Sequence, residues 1–287
     1  MTAPLKILTY DIETVLMMFY AFAPGKQYLG HKQLVPGKSR YGIICITYCW
    51  NDDPVQILKW EPIGGQAKLI ADFDALVKQA DHVIGKNSAR FDNKMINGLR
   101  IFTDLPGMPD WVRYTDDLEV QMRKYFRLPS QSLDYISHQM GLGGKVSMEM
   151  GDWIAIDQYM TSLTLIHDGM PETYVNLHCK HMYNKNIDLV LKDGKKAFDK
   201  MCKYGMKDTR DTRTLWNKLS KHFEPRLNLA TFNGVKDACK VCASHSIIKN
   251  GTRVAGNVRY QCYYCSACGS YAGRHAMSQS GKARKLL

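Results

Sequence analysis

Long apolar runs, internal repeats and low-complexity segments are all missing from this 287-residue chain. No window of about 18 apolar residues is present, which argues against a membrane-spanning helix. The first residues also lack the basic start and apolar core of a secretory signal. From these absences we expect a cytoplasmic protein with no membrane partner.

Acidic residues are scarce relative to basic ones, at 27 against 39, which gives a formal net charge of +12. A surplus of this size predicts a polyanionic partner, and nucleic acid is the commonest one. The surplus is concentrated at the C-terminal end, where residues 236–287 hold nine Lys or Arg and one acid, Asp237.

The hydrophobic pattern predicts an α/β fold. Short β-rich runs at residues 5–11, 42–50, 55–60, 82–87 and 112–117 predict five strands. Helical spacing predicts helices at 66–80, from about 89, at 117–126, at 132–142 and within 170–203. Three successive strands followed by alternating helices and strands favour a mixed sheet of the ribonuclease H-like kind, flanked by helices.

The division into domains follows from composition. We predict a main domain over residues 1–220, a linker over 221–235, a small zinc ribbon over 236–275 and a basic tail over 276–287.

The stretch ILTYDIET ends an apolar run with two carboxylates, Asp11 and Glu13. On a strand, residues two apart share a face and lie roughly 6.7 Å apart. Ionised carboxylates at the end of a buried strand need partners, and a divalent cation such as Mg²⁺ is the simplest one. Two solvated acids at an exposed strand end are the alternative.

Two more acids are candidates for the same site. Asp92 follows the predicted strand 82–87, and Asp188 lies on a late helix with Tyr183 upstream. We expect these side chains to meet Asp11 and Glu13 at one edge of the sheet.

In their order along the chain, YDIET, NSARFD and the Tyr…Asp pair resemble the three motifs of the DEDD (DnaQ-like) 3′–5′ exonuclease superfamily. The segment 115–145, with SLDY and GLGGK, is similar to the predicted ribonuclease H-like exonucleases of phages and bacteria. The resemblance covers roughly residues 5–200.

The resemblance implies hydrolysis of phosphodiester bonds with two Mg²⁺ or Mn²⁺ ions. It implies that Asp11, Glu13, Asp92 and Asp188 hold the metals and that Tyr183 orients the attacking water. Single-stranded DNA is the substrate it favours, with RNA as the alternative, and replication or repair proteins are the partners. If a phage encodes the chain, the expected location is the host cytoplasm.

The third motif departs from the family pattern. The tyrosine-type subgroup has Tyr-x3-Asp, whereas Tyr183 and Asp188 have four residues between them, the spacing of the histidine-type subgroup. Asn184 is the second candidate for the companion of Asp188, and His178 and His181 fit neither spacing. This departure favours an alternative function, a non-catalytic nucleic-acid-binding protein that retains the fold.

Polar residues around the second motif are candidates for substrate binding. Lys86, Asn87 and Arg90 are expected to contact nucleic acid, and an ordinary solvated helix start is the alternative. Asp116 either supports the metal site or caps the helix that follows it.

Five of the nine cysteines lie near the C-terminus. The pairs CKVC (Cys239, Cys242) and CSAC (Cys265, Cys268) are separated by 22 residues, a spacing that predicts one tetrahedral Zn²⁺ on a hairpin. Cys262 is an alternative ligand because it forms a second Cys-x2-Cys with Cys265.

The predicted ribbon carries basic and aromatic residues in alternation. Arg253, Arg259 and Arg274, interleaved with tyrosines, suit a surface that follows a nucleic-acid backbone. The alternative is a zinc module that stabilises the fold or binds a partner protein.

Overall fold

In the computed structural model of the protein, the described residues are 5–17, 31–34, 41–107, 115–143, 146–224 and 227–277. They form eight strands, nearly all joined by helices or short turns. The strands are β1 (Ile7–Thr14), β2 (Ile43–Trp50), β3 (Gln56–Lys59), β4 (His82–Gly85), β5 (Thr115–Asp117), β6 (Ile247–Ala255), β7 (Val258–Cys265) and β8 (Tyr271–Ala276).

Eight α-helices lie within the described residues. They are α1 (Gly65–Val77), α2 (Asp92–Phe102), α3 (Leu118–Tyr125), α4 (Leu133–Gln139), α5 (Met150–His167), α6 (Glu172–Tyr183), α7 (Ile187–Leu219) and α8 (Leu229–Phe232). Two short 3₁₀ turns, His31–Gln33 and Ser220–His222, accompany them. None of the described helices has both the length and the apolar composition that a bilayer span needs.

The first five strands form one mixed sheet in the order β3-β2-β1-β4-β5. β1 pairs antiparallel with β2 and parallel with β4, and β4 pairs parallel with β5. β2 is therefore the one strand that runs against the others. This arrangement confirms the predicted ribonuclease H-like mixed sheet flanked by helices.

The central strands are buried on both faces, as expected for strands covered by helices on each side. On one face of β1, Tyr10 packs against Phe73 of α1, with 5.0 Å between the ring centroids. On the other face, α7 passes over β2, where the Thr47 hydroxyl donates to the Gly205 carbonyl at 3.0 Å. Alternation along β1 places Asp11 and Glu13 on this second face.

The predicted helical stretch 170–203 is two helices rather than one. Asn184 adopts a left-handed conformation (φ 55°) after α6, and its amide donates to the Lys180 carbonyl at 3.1 Å. A left-handed Asn is a common helix C-cap, so the chain turns here before α7 begins. Helix α7 then continues for 33 residues, about 50 Å.

The structure divides into two compact units. Among the described residues, the larger lies within Leu5–Val120 and Leu128–Arg213, and the smaller comprises Gln121–Arg127 and residues from Thr214 onward. The residues predicted as a linker, 221–235, include the end of a 3₁₀ turn and helix α8 within the smaller unit. Most of the predicted basic tail, from residue 278 onward, lies outside the described residues.

The smaller unit contains the second sheet, which is antiparallel with the order β6-β7-β8. Two loops of cysteines lie at one end of this sheet. The arrangement is compatible with the predicted zinc ribbon.

Candidate metal centres and nucleic-acid interface

Three carboxylates converge where α7 passes over the end of β1. Asp11, Glu13 and Asp208 each offer an oxygen, and these oxygens all lie within 4.8 Å of one another. Glu13 is buried, whereas Asp11 and Asp208 are partly exposed. The cluster is therefore accessible from solvent on one side, and on its other side it packs against the buried sheet.

Asp92 stands beside this cluster at the first turn of α2. Its Oδ1 accepts a hydrogen bond from the backbone N–H of Ile12 at 3.1 Å, which fixes α2 against β1 between the two β1 carboxylates. The Asp92 side chain is only 3% exposed. The structure thus brings the predicted residues Asp11, Glu13 and Asp92 to one edge of the sheet.

The carboxylates strongly perturb one another. Burial raises the pKa of Asp11 well above its ordinary value, and the charges of Asp92, Glu13 and Asp208 raise it further. Burial also raises the pKa of Asp92 to about 7, against opposing backbone hydrogen bonds. A site that disfavours its own negative charges in this way is suited to divalent cations, which prefer carboxylate oxygens.

The structure does not bring Asp188 to this cluster. Asp188 lies in the first turn of α7 and is exposed, twenty residues before Asp208. At 1.5 Å per residue, the two aspartates are about 30 Å apart along the helix. The aspartate of α7 that lies with Asp11 and Glu13 is therefore Asp208, and the expectation that Asp188 meets them is corrected.

Tyr183 is likewise distant from the carboxylates. It ends α6, where its ring packs edge-on against His178 at 5.6 Å and lies beside the small apolar cluster of Val175 and Cys179. Asn184, the alternative companion, is the C-cap of α6. Both residues have structural surroundings that explain them without a metal site.

The tyrosine that lies beside the carboxylates is Tyr204, which the sequence analysis did not select. It lies one turn before Asp208 and forms a side-chain hydrogen bond with that carboxylate. Burial, followed by the charges of Asp208 and Glu13, raises the pKa of Tyr204 well above its usual value. The phenol therefore stays protonated at neutral pH and can donate a hydrogen bond, but it is not a base.

The signal for these two residues was present in the sequence. Tyr204 and Asp208, in YGMKD, have the regular Tyr-x3-Asp spacing of the tyrosine-type subgroup. Residues four apart share one face of a helix, so both side chains reach the same point. Tyr183 and Asp188, which have the irregular spacing, lie outside the carboxylate cluster.

Close packing of α7 on the sheet holds this arrangement. The Thr209 and Thr47 hydroxyls lie 2.7 Å apart in a buried hydrogen bond. A Cβ on Gly205 would lie 3.2 Å from Thr47 Cγ2 and 3.3 Å from Glu13 Cγ. Gly205 therefore allows the helix to pass close to Glu13, and Asp208 follows one turn later.

The turn between β4 and α2 is held by a residue that the sequence analysis did not select. Asp117 accepts hydrogen bonds from the backbone N–H groups of Asn87 and Ala89, both at 2.9 Å, and from Glu119 at 2.8 Å. Asp117 is thus the cap of α3. Asp116, the other candidate for that cap, pairs with the buried His82 at 2.9 Å.

The residues predicted to bind nucleic acid around Asp92 differ in their surroundings. Lys86 is largely buried and pairs with Glu119 at 2.9 Å, and its charge lowers the pKa of Asp11 and Asp92. Asn87 is left-handed (φ 58°) and shapes the turn. Arg90 is exposed, and the ring of its neighbour Phe91 is 47% exposed.

A second candidate metal centre is formed by four cysteines. Thiol groups of Cys239, Cys242, Cys265 and Cys268 lie within 4.8 Å of one another. The Sγ atoms of Cys239 and Cys268 are 3.8 Å apart, and those of Cys242 and Cys265 are 3.6 Å apart. A tetrahedral Zn²⁺ with Zn–S bonds of about 2.3 Å requires sulfur separations of about 3.8 Å, so these residues fit zinc.

The two cysteine loops repeat the same backbone pattern 26 residues apart. Cys239 N–H donates to the Ser244 carbonyl, and Cys265 N–H donates to the Ser270 carbonyl, both at 2.9 Å. The residue after each second cysteine, Ala243 or Gly269, is left-handed, with φ of 56° and 77°. The repeat shows that the loop of Cys265 is the partner of the loop of Cys239.

Cys262, the alternative ligand, lies outside this group of thiols. It is buried in β7 opposite Arg274 of β8, with the Tyr271 side chain as a neighbour. The prediction that Cys265 and Cys268 complete the four-cysteine site is therefore the one that the geometry fits.

The arginines of the ribbon lie on two different faces. Arg253 is paired with Tyr260 across β6 and β7, and the Arg274 guanidinium lies over the Tyr260 ring at 4.3 Å. Arg259 immediately precedes Tyr260 on β7. Successive residues of a strand point to opposite faces, so Arg259 lies on the face opposite Tyr260. Arg253 and Arg274 also line a groove of about 780 Å³ together with Tyr264 and Tyr271.

Comparisons with known proteins give little beyond these observations. No protein-family model matches the sequence, and no curated protein matches it. The structure is similar to the family B DNA polymerase from the hyperthermophilic archaeon Pyrobaculum calidifontis, with 15% sequence identity and a TM-score of 0.49. The match covers 76% of this chain and 25% of the polymerase, so this chain spans about a quarter of the polymerase's length.

Proposed function

We propose that this protein is a metal-dependent nuclease that hydrolyses phosphodiester bonds of nucleic acid, acting as a 3′–5′ exonuclease on single-stranded DNA. The observation that carries the proposal is the convergence of Asp11, Glu13 and Asp208 within 4.8 Å, with Asp92 fixed beside them. Polarity and the preference for DNA come from the resemblance of the sequence motifs. RNA is the alternative substrate of the same site.

The four carboxylates would hold two Mg²⁺ or Mn²⁺ ions. When bound, such ions lower the pKa of water and neutralise charge that develops on the phosphate. Asp92 remains oriented by the Ile12 amide, and Glu13 by its burial between β1 and α7. These side chains hold their carboxylate oxygens at fixed points, so that binding of the cations requires little rearrangement.

The role we assign to Tyr204 is to position the attacking water. Its hydroxyl stays protonated and is held against Asp208. A phenol in this state donates one hydrogen bond and accepts another, which orients a water relative to the scissile phosphate without removing its proton. Tyr204 is thus a positioning residue.

The regular spacing of Tyr204 and Asp208 bears on the non-catalytic alternative. That alternative rested on the irregular spacing of Tyr183 and Asp188, and neither residue lies in the cluster. The spacing of Tyr204 and Asp208 therefore supports the catalytic proposal over a protein that retains the fold without its chemistry.

The test is cleavage of 5′-labelled single-stranded DNA and RNA on a denaturing gel in Mn²⁺, with Asp208→Asn and Asp188→Asn compared. We expect a ladder that shortens from the 3′ end, slower by on the order of 10³-fold in Asp208→Asn, as for loss of one electrostatic stabiliser. Asp188→Asn should cleave like the wild type. Intact substrates in the wild type, or equal loss in both variants, would contradict the proposal.

For the ribbon, we propose that the four cysteines bind one Zn²⁺ and that the face with Arg253 and Arg274 contacts the nucleic acid. Two lost phosphate contacts should reduce the slope of log affinity against log salt by about 1.4 for a single strand. We therefore expect Arg253→Gln/Arg274→Gln to weaken binding and Arg259→Gln, on the other face, to change it far less. Equal effects of the two changes would indicate that the positive charge of the ribbon contributes to binding regardless of the face on which it lies.

A further inference from the structure

A groove lined by lysines lies beside the N-terminal half of α7 in the larger unit. Its volume is about 950 Å³, and its walls are the start of α5 and one side of α7. The lysines that line it are Lys185, Lys192, Lys195, Lys196, Lys200 and Lys203.

The groove has a surplus of positive charge. Its acids are Asp152, Asp193 and Asp199, and each is paired with one lysine at 2.6 to 3.3 Å. Six lysines against three aspartates leave a formal charge of +3. Among the described residues, no ion pair engages the other three lysines, Lys192, Lys196 and Lys203, which are all exposed.

These three lysines, which we call the lysine row, are arranged along one side of the helix. Lys192 and Lys196 are one turn apart, and Lys203 follows two turns later, so the row extends for about 16–17 Å. That length equals the rise of about five nucleotides in a B-form strand, or fewer in an extended strand. The row therefore matches several consecutive phosphates.

The last lysine of the row lies close to Asp208 along the helix axis. Lys203 directly precedes Tyr204 and lies five residues, about 7.5 Å along the axis, before Asp208. Helix α7 thus carries Asp208 and the lysine row on one rigid element, with Asp208 turned about 140° around the helix axis from Lys203. A strand bound along the row therefore has to curve around part of the helix to reach the carboxylates.

The two helices that wall the groove are held in close contact. A Cβ on Gly194 would lie 2.2 Å from Tyr159 Cβ and 2.8 Å from the Ala155 carbonyl of α5. On the same pair of helices, Lys200 Nζ is 2.6 Å from Asp152. The groove is therefore a preformed feature, and its shape does not depend on a ligand.

We infer that the lysine row binds the sugar–phosphate backbone of the polynucleotide strand whose end is cleaved at the carboxylate cluster. The inference rests on the proposed function for the identity of the anion. The row contacts phosphates several nucleotides from the scissile bond and adds affinity without reading sequence. Substrates too short to reach it gain nothing from it.

The test compares Lys192→Gln/Lys196→Gln/Lys203→Gln with a control of equal charge change, Lys6→Gln/Lys59→Gln/Lys78→Gln. The control lysines are exposed and lie outside the groove. Binding of a 5′-labelled 16-nucleotide and a 3-nucleotide DNA is measured by fluorescence anisotropy from about 50 to 200 mM salt, in buffer free of Mg²⁺ and Mn²⁺ so that nothing is cleaved.

For the 16-nucleotide strand, loss of three contacts should reduce the salt slope by about 2 and lower the affinity by on the order of 10²-fold at about 0.1 M salt. The control variant should lose far less affinity for this strand. For the 3-nucleotide strand, both variants should have the same affinity as the wild type. Equal losses in both triple variants, or no binding by the wild type, would overturn the inference. If the row variant loses binding while the wild type cleaves nothing in Mn²⁺, the proposed nuclease function fails and the groove remains a nucleic-acid site.

Discussion

Replacing Asp11 by Asn should stabilise the protein in the absence of divalent metal and remove most of the stabilisation that metal provides. Asp11, Glu13 and Asp208 offer oxygens within 4.8 Å of one another, and Asp92 adds a fourth charge nearby. At an effective dielectric constant of about 20, each fully charged pair at that distance costs about 3 kcal/mol. Asn keeps the shape of the side chain and removes its charge.

The expected gain is smaller than the full repulsion because the metal-free cluster already relieves part of it by binding protons. Burial and the neighbouring charges raise the pKa of Asp11 well above its ordinary value, so its carboxyl binds a proton more readily in the folded state than in the unfolded one. We expect Asp11→Asn to raise the free energy of unfolding by about 1–3 kcal/mol. For a unit of this size, about 2–4 °C in Tm accompanies each kcal/mol.

The assay is differential scanning calorimetry of the wild type, Asp11→Asn and Asp188→Asn, with and without Mn²⁺. No strong chelator is used, because it would also strip the four-cysteine site. At a hundredfold excess over its Kd, Mn²⁺ should stabilise the wild type by about 2.7 kcal/mol. Asp188→Asn, an exposed change outside the cluster, should behave as the wild type to within about 0.5 kcal/mol.

Two results would refute this reasoning. A lower Tm of metal-free Asp11→Asn would mean that the carboxylates do not repel one another in the folded protein. An undiminished Mn²⁺ shift in Asp11→Asn would mean that the metal binds elsewhere.

Three further predictions concern the backbone and the ribbon. Ala243 and Gly269 are both left-handed, a conformation that glycine adopts more easily than alanine. Ala243→Gly should therefore stabilise the ribbon and Gly269→Ala should destabilise it, each by about 1 kcal/mol. Thermal unfolding of the zinc-loaded protein measures both changes. Gly205→Val should lower the rate of cleavage by on the order of 10²-fold or more by pushing α7 away from Glu13, with binding of single-stranded DNA retained; retained activity would contradict the close packing. Cys242→Ser should lose bound zinc and unfold the β6-β7-β8 sheet while the carboxylate cluster still binds Mn²⁺; metal analysis and circular dichroism report both.

The sequence was most informative where a site depends on local spacing. Asp11 and Glu13 share a face because residues two apart on a strand always do, and burial of the run ILTY marks that strand. In the same way, each Cys-x2-Cys loop presents two thiols to one point, and the glycine after Cys268 distinguishes it from Cys262 as a ligand. These predictions required no knowledge of distant contacts. The order of strands and helices also predicted the mixed sheet.

The third motif depended on tertiary structure. Helix α7 is 33 residues long and carries several aspartates, so periodicity alone does not say which turn of the helix crosses the sheet. That point is set by packing, where Gly205 gives the helix room beside Glu13 and Thr209 bonds to Thr47 of β2. Asp208 reaches the carboxylates because it lies one turn beyond Tyr204 at this crossing, whereas Asp188 lies about 30 Å earlier. The sequence by itself determined which residue types form the site and which local pairs they make; only the packing of α7 on β1 and β2 decided which aspartate completes it.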